Sequence, residues 1–273
     1  TVLSRGLGDV YKRQLLAMGA SIWSTSVDKM LSFPAKSFIR FFDNHGLLTI
    51  NDQPQWYTVK GGSKNYIEKI IQPFKDKIKL NCSVKNVKRE GGKVFITDSN
   101  NNVEKFDKII FACHSDQIIN ILETPSSEEK EVIGSIKYQP NKMVLHKDIS
   151  FMPKRKKAWS SWVYLSETKN DNSESVSLSY WMNNLQPIDT DIPIIVTLNP
   201  SRMPDKELIF DEYDFHHPLF DEEAIISQSK LENLQGENNT YYCGAWSRYG
   251  FHEDGLLSAR NVAEKLGVQI PWK

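Results

Sequence analysis

The stretch from Tyr241 to Ala263 concentrates the residues best placed for chemistry. It reads as an apolar strand, a turn built on Gly244, a loop carrying the acid pair Glu253-Asp254, and a helix opened by Gly255. Glycine has no Cβ, so such a turn lets backbone approach a ligand closely. The helix behind it presents free N–H groups and a positive dipole end. That combination suits a ligand with electron-rich oxygens, or a ring that gains negative charge. His252 and Glu253 stand beside it as candidates for proton handling.

Other reactive side chains are less organised. His216-His217 and His252-Glu253-Asp254 match no ligand spacing of the HExxH kind, so no metal site is expected. Cys82, Cys113 and Cys243 are scattered and odd in number. They offer neither a disulfide framework nor a CxxC pair, which points to a reducing cytoplasm. Cys113 ends an apolar strand with no base nearby in sequence, and reads as a packed small residue rather than a nucleophile. Trp159, Trp162, Tyr180 and Trp181 fit a hydrophobic pocket for an acyl chain and an ordinary sheet core equally well. The basic run Lys154-Arg155-Lys156-Lys157 reads as a solvated loop, or as a contact for acidic lipid headgroups.

The elements that must position these residues follow from pattern. Helices are expected between Leu15 and Gly46: one capped by Thr25 or Ser26, and one started by Pro34 with Ala35, Phe38, Ile39 and Phe42 on its buried face. A strand at Trp56–Val59 precedes Gly61-Gly62 and a helix from Lys64 to Lys75 with Tyr66, Ile67, Ile70 and Ile71 buried. Strands follow at Ile78–Val84, Val94–Thr97 and Val103–Phe106, joined by turns at Gly91-Gly92 and Asp98–Asn102. Asp107–Cys113 reads as a buried parallel strand. From Glu129 to Gln235 alternating strands predict a mostly antiparallel sheet, with Ser166–Ser175 as a polar loop and a helix at Asp221–Leu234.

With 273 residues, 40% hydrophobic and 25% charged, the chain has ample core for one large or two intertwined domains. Lys+Arg and Asp+Glu are both 34, which gives no nucleic-acid footprint. No apolar run approaches the ~18 residues of a membrane span. Arg5 to Gln14 looks like translated adapter sequence, so residues 1–14 are set aside as a non-native tail. The native chain is expected to begin upstream of Leu15.

One family fits several segments at once. They are Met18–Ser24, Phe41–Leu48, Gln55–Ser63, Tyr180–Gln186 and Asp211–Pro218, with the Tyr241–Ala263 stretch completing the set. On these the chain resembles the flavin-containing amine oxidase superfamily. Within it the chain is similar to a bacterial branch of NAD/FAD-binding proteins akin to the N-terminal part of plant cyclopropane-fatty-acid synthases. The resemblance implies a mixed α/β fold: a partial Rossmann-type FAD-binding domain interrupted by a substrate domain of mostly antiparallel sheet and helices. It divides the chain into helical substrate-domain residues 15–60, FAD-domain residues 61–125, substrate-domain residues 126–238 and FAD-domain residues 239–273.

The cofactor implied is FAD. Val84 is placed at the adenine, Gly244, Ala245 and Trp246 near the ribityl chain, and Gly255 and Leu256 at the isoalloxazine. Many relatives carry an acid where Ala245 stands, so backbone contact is what remains at that position. The family's Gly-x-Gly-x-x-Gly turn has no counterpart: Gly6-Leu7-Gly8 lacks a strand before it and a helix after it. Weak FAD retention is therefore expected. The implied activity is hydride transfer from a lipid-like substrate to flavin. Amine oxidation, or a non-catalytic flavin-binding partner of a lipid-modifying enzyme, are the alternatives. Peripheral membrane contact is open, as are the oligomeric state and any use of NAD(P)H.

Overall fold

The computed structural model describes residues 8, 11–23, 30–31, 33–49, 51–52, 55–168 and 174–272. A π-type turn at Tyr11–Leu16 runs into α1 (Ala17–Ile22), and α2 (Ala35–Asn44) and α3 (Lys64–Ile71) follow. Next come β1 (Val84–Glu90), β2 (Lys93–Asp98), β3 (Val103–Phe106), β4 (Ile109–Phe111), α4 (Ser115–Ile121) and α5 (Ser127–Val132). The middle holds β5 (Tyr138–His146), β6 (Trp162–Thr168), β7 (Glu174–Trp181), α6 (Met182–Leu185), β8 (Ile195–Leu198) and β9 (Ile209–Pro218). Last are α7 (Glu222–Leu234), β10 (Thr240–Tyr242) and α8 (His252–Lys265). The fold is mixed α/β: a parallel strand pair accompanied by antiparallel sheets and helices.

Two compact units share the chain, each built from two pieces: residues 1–76 with 139–217, and residues 77–138 with 218–273. The exchange points differ from those read in the sequence because α5 and α7 pack with β10. Ala224, Leu231 and Leu234 of α7 bury into the same core as Val132, Ile133 and Tyr242, and Ser135 Oγ lies 2.6 Å from Ser227 Oγ. Residues 126–138 and 218–238 therefore belong with the parallel strands.

In the first unit the five-stranded sheet runs in the order β6-β7-β8-β5-β9. The pairs β6–β7, β7–β8 and β5–β8 are antiparallel, as alternation predicts. Buried between strands is a chain of uncharged polar groups. The Asp148 N–H donates to His146 Nδ1 at 3.1 Å, so His146 Nε2–H donates to Thr197 Oγ1 at 2.7 Å. Thr197 Oγ1 in turn lies 2.8 Å from Ser179 Oγ. Burial pushes the His146 pKa down to about 4, so the imidazole is neutral. Ser177 Oγ, also buried, has no hydrogen-bond partner among the described residues. In the helical part Trp23 packs on Phe33 and Phe41, with ring centroids 4.5 and 4.9 Å away. Gly46 closes α2: its positive φ lets its own N–H reach Asp43 O and the Leu47 N–H reach Phe42 O.

Several expectations give way here. α2 buries Phe41 and Phe42 while Ile39 is exposed, because the aromatic neighbours decide which part of the apolar stripe is covered. Trp56–Val59 forms no strand, lacking a ladder partner among the described residues, and Trp56 and Tyr57 are exposed. α3 ends at Ile71, continues as a 3₁₀ turn to Lys77, and buries no residue; Tyr66, Ile67 and Ile70 face outward. Residues 11–14, set aside with the tail, form the start of the π-type turn. The caps expected at Thr25 or Ser26, and residues 1–7 of the tail, lie outside the described residues, as does the centre of the 166–175 loop, whose ends extend β6 and β7.

In the second unit β1, β2 and β3 form an antiparallel meander. A two-residue Gly91-Gly92 turn joins the first pair. The Asp98 carboxylate builds the next turn by accepting the N–H groups of Asn100 and Asn102 at 2.8 and 2.9 Å. The first strand starts at Val84, not Ile78, since Asn81 sits at φ 54° and breaks the extended run. Asp221 caps α7 by accepting Ala224 N–H at 2.9 Å.

Candidate functional site

The site is assembled at the carboxyl ends of β4 and β10. These strands pair in parallel, Thr240 with Ile109 and Tyr242 with Phe111. The Cys243 N–H extends the ladder to Phe111 O at 2.9 Å. The two chain exits are then tied together, because Trp246 Nε1 donates to Cys113 O at 3.0 Å. In open α/β sheets this end is where ligands bind.

Gly244 makes the turn possible. Its φ of 154° and ψ of 161° lie in a region essentially reserved for glycine. A Cβ there would also fall 2.5 Å from Trp246 Nε1. Ser258 of α8 holds the turn against the helix: it accepts the Gly244 N–H at 2.9 Å and donates to Gly255 O at 2.7 Å. Gly255 faces the backbone of Ala245, with its Cβ position 3.7 Å from Ala245 N. Gly244, Ala245 and Gly255 are thus brought together.

The helix opens three residues earlier than expected, at His252. Asp254 is the reason. Its carboxylate reaches back to the Phe251 N–H at 3.0 Å, and the acid pair sits in the first turn, where the helix dipole favours negative charge. Gly255 lies inside the helix, donating its N–H to Phe251 O at 3.1 Å. The first-turn N–H groups of α8 therefore belong to His252, Glu253 and Asp254. His252 and Glu253 are exposed, and Leu256 is half exposed. Trp246 is different: the indole is buried, its N–H serves Cys113 O, and its carbonyl accepts from Gln228 at 2.9 Å. It positions the turn and offers a ligand no free side chain. Val84 stands apart from this cluster in sequence and element, as the half-exposed first residue of β1.

Beneath the strands lies a buried charge network that sequence reading missed. Arg89 of β1 grips Glu129 of α5 through both of its Nη atoms. Arg89 also donates to Thr124 O at 3.0 Å and Thr240 Oγ1 at 3.3 Å. Tyr242 donates to Glu129 Oε1 at 2.6 Å, and the Ser126 N–H to Oε2 at 2.7 Å. Burial works to raise the Glu129 pKa, but the hydrogen bonds from Arg89, Tyr242 and Ser126 outweigh it and hold it below its ordinary value. Burial, reinforced by the bond to Glu129, pushes the Tyr242 phenol upward. Only the Ser126-x-x-Glu129 capping box signals this network in the sequence.

The nearby thiols are unsuited to nucleophilic work. Burial raises the pKa of both Cys113 and Cys243, which disfavours the thiolate. His114 stacks on Tyr138 with centroids 4.6 Å apart. Burial takes the Tyr138 phenol up to about 12 while its oxygen accepts the Ser115 N–H at 2.9 Å. Among the described residues no group of His, Cys, Asp and Glu is arranged to hold a metal. Nor is any helix among them long and apolar enough to cross a membrane.

This strand–turn–helix, set at the end of a parallel pair in a mixed α/β fold, is of a kind found in dinucleotide-dependent oxidoreductases. The chain belongs to the flavin containing amine oxidoreductase family, whose sequence profile matches residues 9–213. FAD binding defines that family. The match takes in residues 9–14, which the sequence reading had set aside, and stops before the Gly244 turn. Solved structures agree on the fold. Reduced UDP-galactopyranose mutase is 13% identical, with a TM-score of 0.54, over 84% of this chain and 57% of that one. A redesigned putrescine oxidase is 11% identical, with a TM-score of 0.52, over 76% of this chain and 53% of that one. The chain thus spans little more than half the length of these structures. No curated protein matches it significantly.

Proposed function

We propose that the chain carries the flavin-ring side of an FAD site in an oxidoreductase acting on a lipid-like substrate. The carrying observation is the meeting of Gly244, Ala245 and Gly255 beside the first turn of α8, at the carboxyl ends of β4 and β10. These residues fit the ring end of the cofactor, since two residues without Cβ leave flat backbone beside a row of N–H donors. Bound FAD supplies the hydride acceptor.

The chain's own groups would position and polarise. The Gly244–Ala245 backbone would hold the ribityl chain, and Leu256 would give an apolar contact at the ring. The N–H groups of His252 and Glu253 direct the positive helix end toward charge on the ring. The two side chains are exposed and free to exchange protons with substrate or solvent. Val84 offers backbone to the adenine from the start of β1. The lipid-like substrate rests on the resemblance to the N-terminal part of plant cyclopropane-fatty-acid synthases.

FAD titration tests the site, with quenching of flavin fluorescence as the readout. Gly244→Ala is expected to abolish saturable quenching and to cost about 2–5 kcal/mol of stability, from the strained backbone and the clash with Trp246. Quenching by wild type that survives this substitution unchanged overturns the assignment of the turn. Anaerobic addition of acyl substrates should bleach the flavin band. Bleaching by amines alone would select amine oxidation, and no bleaching by either class would leave a flavin binder without this activity.

A further inference from the structure

The first unit contains a cleft of about 760 Å³ lined by none of the residues assigned above to the cofactor. One wall is the 148–159 segment and the other is the 183–193 loop. Each wall is fixed locally. Trp159 Nε1 donates to Pro153 O at 2.7 Å. Asn183 accepts the Ile194 N–H at 2.7 Å and donates to Ile192 O at 2.9 Å. With its only polar atom satisfied, Trp159 presents apolar surface, and Trp181 meets it edge to face at 5.2 Å. Met152 and Pro193 complete an apolar floor. Trp162 and Tyr180, which the sequence grouped with these indoles, pair with each other at 5.7 Å and do not line the cleft.

The lip carries the second observation. Lys154 and Lys156 line the mouth, flanked in sequence by Arg155 and Lys157, and all four are exposed. None has an acidic partner among the described residues, whereas Lys79, Lys88, Lys93, Lys137, Lys142, Lys230 and Lys265 all do. Lys156 instead lies over the Trp159 ring, 5.9 Å from its centroid. Of the two cleft carboxylates, Asp148 already accepts from Ser150 N–H and Oγ at 3.0 and 2.5 Å and lies 4.0 Å from Arg202. Asp191 is on the exposed loop.

We propose that this cleft is a binding site for a single long-chain carboxylate, its chain against Trp159 and Trp181 and its head on Lys154 and Lys156. An apolar body suits the indole floor, and an anionic head offsets four uncompensated cations. The volume falls within the roughly 300–1,000 Å³ of small-molecule sites, which favours one amphiphile over a bilayer surface. The proposal shares only its ligand class with the flavin reading. It is tested by binding without FAD, so either can fail while the other stands.

The probe is dibrominated stearate, whose bromines quench indole fluorescence on contact. It should quench the full chain saturably, and Trp159→Phe should remove the larger part of the signal. The exposed pair Lys154→Gln with Lys156→Gln should weaken stearate binding at least tenfold, as expected for losing charge-assisted contacts, and leave the brominated alcohol's affinity unchanged. Equal affinity of wild type for carboxylate and alcohol would overturn the proposal. So would an undiminished affinity in the double lysine variant, or quenching seen only with phosphatidylglycerol vesicles.

Discussion

The two units solve the same problem, burying polar groups between strands, in opposite ways. The unit of residues 77–138 and 218–273 buries a full ion pair, Arg89 with Glu129, and meets its bonding capacity with Tyr242, Thr240, Thr124 and Ser126. The unit of residues 1–76 and 139–217 buries a neutral relay, His146–Thr197–Ser179, and leaves Ser177 without a partner among the described residues. A buried pair is costly to break but indifferent to mild acid. A buried neutral imidazole is cheaper to build and fails as soon as acid charges it. Each unit should therefore have its own failure condition, which segment-resolved hydrogen exchange can separate where a single melting curve cannot.

The largest contrast comes from the ion pair. Glu129→Ala should destabilise its unit by about 3–5 kcal/mol, because the Arg89 guanidinium is left buried and uncompensated. Exchange should accelerate in peptides of 77–138 and 218–273 while those of 139–217 stay protected. Equal acceleration in both would break the contrast. Replacing both partners, Arg89→Met with Glu129→Leu, should recover most of the loss.

Acid is the next probe. The His146 pKa falls from 6.5 unfolded to about 4 folded, so the stability its neutral form contributes is fully present above pH 6.5. Stability drains as pH falls, by up to about 3 kcal/mol near pH 4. Glu129 keeps its charge through that window, since its folded pKa lies below the ordinary 4.5. Between pH 6.5 and 4.5 only peptides of the first unit should lose protection. Simultaneous loss in both units would show that the relay is not the weak point.

The smallest effect has the opposite sign. Ser177→Ala removes a buried hydroxyl that has no partner among the described residues, and should be neutral or stabilising by up to about 1 kcal/mol in urea denaturation. A loss greater than that would mean Ser177 makes a bond that matters.

These contrasts also show where sequence is legible. Turn chemistry was readable because it is local: Gly91-Gly92, the Asp98 turn and the Asp221 cap each act within a few residues. The Gly244 turn was readable for the same reason, and its glycine is required by backbone and by Trp246 alike. The start of α8 is set not by Gly255 but by the acid at Asp254, which reaches back to the Phe251 N–H. Periodicity identified the apolar stripe of α3 but says nothing of what covers it. Arg89 meets Glu129 across 40 residues, and only the capping box at the Glu129 end is local. Alternation grouped Trp159 and Trp181 with Trp162 and Tyr180 without telling which of them line the cleft.

The ion pair has one further consequence, in the order of synthesis. Arg89 and Glu129 emerge close together, but Tyr242 follows Glu129 by 113 residues. At about 5–20 residues per second, the pair waits roughly 6–23 s for its last donor. In that interval all of 139–217 is made. A chain growing on the ribosome must hold residues 77–138 half-built, with β4 lacking its β10 neighbour, until the far end returns.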